Sequence, residues 1–137
     1  MIVVDANVVA YLIIAGDFTE AARAVYRADP DWHLPVLWRH EYLNILATTA
    51  RFGKTPREGI EAAWDEALAR FASAEHEVEP KAVLVVSLRH QLSAYDAQYA
   101  VLADQLDVPL VTNDRGLRTA YPERAVSMQG FCDGRDG

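Results

Sequence analysis

Cysteine is nearly absent from this 137-residue chain: Cys132 stands alone, so no internal disulfide can form and no zinc knuckle is available. Lysine is almost as scarce, with Lys54 and Lys81 the only two, and neither follows a predicted strand. There is no glycine-rich phosphate loop and no Gly-x-Ser-x-Gly nucleophile turn. The histidines, His33, His40, His76 and His90, show no metal-ligand spacing and are expected at the surface or in packing roles. No uncharged run approaches the roughly 18 residues of a membrane helix, and no basic segment precedes the apolar start. The chain is therefore expected to be cytoplasmic and away from membranes. Positive charge is also in short supply, with 13 basic residues against 20 acidic ones and a net charge of −7. That balance speaks against a general electrostatic grip on nucleic acid, although carboxylates that hold cations repel a phosphate less than their formal count suggests.

What is present is a globular pattern. Apolar residues make up 51% of the chain and are mixed with charge throughout, which predicts one domain with a sizeable core. The run Ile2-Val3-Val4-Asp5 reads as a short buried strand, and Ala6 to Ile14 as a helix that stops at Gly16. Asp17 or Thr19 opens a second helix, which ends at the breaker Asp29-Pro30. A strand from Trp32 to Val36 leads into a helix from about Leu37 to Phe52, closed by Gly53. Thr55-Pro56-Arg57-Glu58 supplies an N-cap, a proline at the first helical position and an acid after it, so a helix through Phe71 follows. The polar stretch from Ser73 to Glu79 has room for a short strand. Pro80 begins a helix to Leu92, and Ser93-Ala94-Tyr95-Asp96 opens another with Tyr95, Tyr99, Leu102 and Leu106 on one face. A strand over 108–112, a turn around Asp114-Arg115-Gly116 and a last strand near Arg124 to Met128 complete the domain, 1–130. Residues 131–137 read as a loose tail. Trp32, Trp38 and Trp64 are expected in the core. Strands alternating with helices predict an α/β fold, a three-layer α/β/α sandwich with a central parallel sheet.

Asp5, Glu41, Asp96 and Asp114 sit where apolar strands or helices begin or end. Each has an ordinary explanation: Asp96 follows Ser93 as a capping-box acid does, Glu41 could be a solvated helix residue, and Asp114 could open a turn. Asp5 is harder to explain locally, because it ends a buried strand and Asn7 adds a further oxygen ligand beside it. In a parallel sheet all four acids would meet at the carboxyl edge, where ligands bind. Crowding them costs several kcal/mol per close pair unless protons or cations compensate. Oxygen donors without clustered His or Cys point to Mg²⁺ or Mn²⁺. A phosphoaspartate mechanism with Asp5 as nucleophile wants a second Asp where Asn7 stands.

Val3-Val4-Asp5-Ala6-Asn7, Glu41 at the start of a helix, Tyr95-Asp96-Ala97-Gln98-Tyr99 and Val111-Thr112-Asn113-Asp114-Arg115-Gly116-Leu117 together resemble the PIN domain. The match runs over almost the whole chain, in the form of VapC-type toxins of type II toxin–antitoxin pairs. The resemblance implies a metal-dependent endoribonuclease with Asp5, Glu41, Asp96 and Asp114 as the catalytic, metal-holding quartet, Mg²⁺ or Mn²⁺ as cofactor, and 5′-phosphate ends as product. Thr112 and Asn7 would orient carboxylates or water. Arg39, Arg51, Lys54, Arg57, Arg115 and Arg118 are the basic residues expected nearest the edge, to meet the RNA backbone. A homodimer would gather such segments in a groove, and a cognate VapB-type antitoxin would lay a basic or amphipathic tail in the acidic cleft. The alternative is a non-catalytic module of the same fold that binds RNA or protein and keeps a cation structurally.

Overall fold

The computed structural model describes residues 1–53 and 55–136. Its centre is a five-stranded, all-parallel sheet in the order β3-β2-β1-β4-β5, formed by β1 (Ile2–Val4), β2 (Trp32–Pro35), β3 (Glu75–His76), β4 (Leu110–Val111) and β5 (Ala125–Val126). The chain builds outward from β1 on one side, then returns to add β4 and β5 on the other. The strand order therefore reverses beside β1, the place where ligands bind in open α/β sheets.

Alternation along each strand assigns the two faces. Ile2, Val4, Trp32, Leu34 and Val111 share one core cluster with α1 (Ala6–Ile13), α2 (Thr19–Ala28), α3 (Trp38–Phe52) and α4 (Arg57–Phe71). Val3 and Leu110 face the other way, toward α6 (Ala94–Leu106) and α7 (Arg115–Ala120), with α5 (Pro80–His90) packed on α6. Three layers result, as the element order predicts. Aromatic contacts lock the first face: Trp32 stacks on Phe71 with ring centroids 5.5 Å apart, and Trp38 meets the same ring edge-on. Trp64 is partly buried and stacks on Tyr42. Between β2 and the edge strand β3, His33 pairs with His76 at 2.8 Å, and Asp31 holds the far nitrogen of His33.

Four expectations need correction. The residues from Phe131 do not form a loose tail, because α8 (Met128–Asp136) is helical and docks on α2. Ser127 caps it, its Oγ accepting from the Gly130 amide at 2.9 Å, and Met128 and Phe131 are buried. The turn at Asp114 is instead the start of α7, with the Asp114 carboxylate accepting from the Leu117 amide. Thr55 is not the cap of α4; Pro56 precedes Arg57 and no side chain caps the end. The buried stripe Ala63, Ala67 and Phe71 holds that helix in place without a cap. Tyr95 leaves the apolar face of α6 and is exposed, whereas Tyr99 and Leu102 are buried. Among the described residues no helix is long and apolar enough to cross a membrane.

Candidate active site

At the carboxyl edge of the sheet, α1, α3, α6 and α7 each carry an acid at or within their first turn. Asp5 and Asp114 are the N-caps of α1 and α7, Glu41 lies in the first turn of α3, and Asp96 in that of α6. Unpaired amides and the helix dipole favour negative charge at these positions, so each helix locally supports the acid it presents. All four line one pocket of about 580 Å³, together with Asn7, His40, Asn44, Tyr95 and Tyr99. Among the described residues no lysine or arginine lines it.

Asp5 is the deepest. Its Oδ1 accepts from the Val8 amide at 3.0 Å, and its Oδ2 accepts the Thr112 hydroxyl. The Asp114 amide donates to the same Thr112 oxygen at 3.0 Å. Thr112 thereby ties the acid after β1 to the acid after β4, a link that needs the two strands to be neighbours. Burial pushes the Asp5 carboxyl up from its usual 3.8 to about 6, with Glu41 and Asp114 adding to the rise and the Thr112 and Val8 hydrogen bonds opposing it. Glu41 is raised by burial and by Asp96, and Asp96 by burial and by Asp114. The acids are electrostatically one group. Among the described residues no three His, Cys, Asp or Glu side chains close up into a finished metal cage. The donor set nevertheless suits a hard divalent cation, being oxygen-only, partly desolvated and mutually repulsive.

Asn7 is exposed at the pocket wall, and Thr112 is buried beneath it. The basic candidates lie elsewhere. Arg39 is held by Glu75 at 2.5 Å, Arg57 pairs with Glu61 on the surface of α4, and the Arg51 guanidinium lies 5.1 Å from the Phe52 ring centre. Arg115 is exposed on α7, Arg118 is partly buried there, and Lys54 lies outside the described residues.

Sequence reasoning missed Tyr99, His40 and Asn44. The Tyr99 hydroxyl donates to Glu41 Oε1 at 2.5 Å across the cleft between α6 and α3. A clue existed: a tyrosine on a buried face needs a partner for its hydroxyl. Asn44 follows Glu41 by three residues and His40 by four along α3, and all three line the pocket.

The sequence pattern of the PIN domain family matches residues 2–121, a span that includes all four acids. Ribonuclease VapC3 of Pyrobaculum aerophilum is 29% identical over 125 residues, 88% of this chain and 95% of that one. Among solved structures, PAE2754 from Pyrobaculum aerophilum superposes with a TM-score of 0.77 at 24% identity, over 98% of this chain and 96% of its own. FitAcB from Neisseria gonorrhoeae does so with a TM-score of 0.70 at 18% identity, over 94% and 99%. Sequence pattern and architecture thus agree along nearly the whole length, and the chain belongs to the PIN domain family.

Proposed function

We propose that this protein is a metal-dependent endoribonuclease and the toxin of a toxin–antitoxin pair. The observation that carries the reading is the convergence of Asp5, Glu41, Asp96 and Asp114 on one pocket, and its similarity to a protein called a ribonuclease supports it. Asp5, Asp114, Asp96 and Glu41 would hold Mg²⁺ or Mn²⁺ at this pocket, as one ion or two. When bound, such an ion supplies Lewis acidity toward a water and toward the phosphate oxygens. The chain's own groups position the rest. Thr112 fixes the Asp5 and Asp114 side of the pocket, Tyr99 holds one oxygen of Glu41, and Asn7 offers an amide at the rim to orient water or phosphate. Water attacks phosphorus in line, its proton passing to a pocket carboxylate. The P–O3′ bond breaks and O3′ takes a proton from solvent, leaving a 5′-phosphate and a 3′-hydroxyl.

The antitoxin reading rests on the same charge. A pocket of four carboxylates that no described lysine or arginine lines attracts a cationic segment, and an arginine fork binds such acids bidentately. Its occupancy would compete with the cation and silence the enzyme. Two copies of the chain would pair in solution, bringing their basic segments together. The test is cleavage of single-stranded RNA with Mn²⁺, with EDTA, and with Asp96→Asn. Activity should require the cation and fall by at least about 100-fold in the variant. Full activity of purified Asp96→Asn overturns the assignment, and RNA binding without cleavage by the parent favours the non-catalytic module.

A further inference from the structure

A second groove opens from the acidic pocket. It runs between α1 and α3 and shares two wall residues with the pocket, Asn7 and Ile45. Its volume is about 260 Å³, below the roughly 300–1,000 Å³ typical of sites for drug-sized ligands, which suits one planar ring. At its far end Phe18 is 48% exposed, and its ring rests on Tyr11 with centroids 4.9 Å apart. The loop that presents Phe18 is tied down. Thr19 Oγ1 accepts from the Gly16 amide at 2.9 Å and donates to the Ile14 carbonyl at 3.1 Å, so the platform is organised before anything binds.

The charge of this groove differs from that of a phosphate site. Among its described lining residues Asp17 is the sole charged group, and no lysine or arginine is present. Beyond the shared Asn7 it brings no positive charge to a backbone phosphate, and it offers an apolar and aromatic wall to the uncharged part of a nucleotide. Aromatic faces stack unpaired bases without regard to sequence. One helical turn beyond Thr49, the last α3 residue in the groove, Phe52 is 77% exposed and carries the Arg51 guanidinium at its ring. The α3 wall therefore passes from acid to neutral groove to an aromatic and cationic end, the order a single strand would meet if its scissile phosphate lay over the acids.

We propose that this groove is a nucleobase subsite, in which Phe18, backed by Tyr11, stacks an unpaired base adjacent to the phosphate held at the acidic pocket. The proposal rests on the ribonuclease reading and adds a determinant of substrate class: the flanking nucleotide must be single-stranded and must carry a base.

The test measures equilibrium binding of fluorescent RNA oligonucleotides of about eight nucleotides to the Asp96→Asn protein, with and without Phe18→Ala, Phe18→Leu or Phe18→Tyr. A companion set of oligonucleotides carries one abasic position, stepped along the strand. Phe18→Ala and Phe18→Leu should weaken binding of intact RNA roughly 5- to 150-fold, as the loss of one stacked base implies, whereas Phe18→Tyr should bind like the parent. One abasic position should cost the parent a similar factor and cost Phe18→Ala almost nothing. The salt dependence should stay unchanged, since no phosphate contact is lost. Equal binding by all four forms overturns the subsite while leaving the ribonuclease intact. Failure of the Phe18 parent to bind any single strand overturns both readings. If Phe18→Ala instead weakens only a basic peptide inhibitor and not RNA, the groove belongs to a protein partner and the proposal is wrong.

Discussion

A carboxylate placed where both burial and its neighbours oppose its charge makes the protein's stability depend on pH. Asp5 is the main case. Its folded-state pKa of about 6 lies above the usual 3.8, so its protonated form is favoured by folding. The stabilisation is fully present below about pH 4 and is lost as pH rises through 6, a swing of roughly 3 kcal/mol. Glu41 and Asp96 are shifted the same way. Asp5→Asn should therefore raise the melting temperature of the metal-free protein at pH 8, and the gain should shrink toward pH 4. An asparagine keeps the N-cap of α1, and its amide can donate to Thr112. Melting both proteins in EDTA across that range checks the prediction. A variant that melts lower at pH 8 would mean that Asp5 is chiefly structural.

At the scale of elements, α8 is an anchor. Phe131 and Met128 are buried in the core cluster that also holds Ala22, Val25 and Trp32, and α8 packs on α2. Phe131→Ala should cost about 3 kcal/mol or more, read from urea unfolding, whereas a change at exposed Asp133 should cost almost nothing. The sequence hides this helix, because Gly130 and Gly134 read as breakers and the packing partners lie a hundred residues away. By contrast, β1 and helices α1 and α6 are legible: Ile2 to Val4 is uniformly apolar, and the acid or hydroxyl that begins each helix marks its boundary, whereas Asp114 reads as a turn because α7 is only six residues long. The acids are legible for the same reason, since helix starts in parallel sheets face one edge. Tyr99, His40 and Asn44 are not, because the pairing of α6 with α3 across the cleft leaves no local trace. Thr112 shows only as a hydroxyl near Asp114 until β4 is seen beside β1. The Phe18 platform escapes for a further reason: a loop residue has no period to betray it.

At the scale of the whole molecule, the outer side of α5 is apolar where a surface helix is usually polar. Leu84, Val85 and Leu88 are exposed at helical spacing, Leu88 by 80%. The proposed homodimer would cover this stripe, and light scattering at micromolar concentration should then give twice the monomer mass. Leu88→Glu should weaken the pairing at least tenfold, as burying an unpaired charge at an interface centre implies. A monomeric parent with undiminished cleavage overturns the dimer. The strand order also sets a schedule. β1 is made before the other four strands, yet it is the middle strand, and its partner β4 pairs Val3 with Leu110 and Val4 with Val111. At about 5–20 residues per second, seconds separate the synthesis of Asp5 from that of Asp114. Throughout that interval the nascent chain lacks an acid of the pocket and the strand that would seat it. In the ribonuclease reading, the order of the strands thus withholds cleavage from a nascent chain until β4 and Asp114 have both been made.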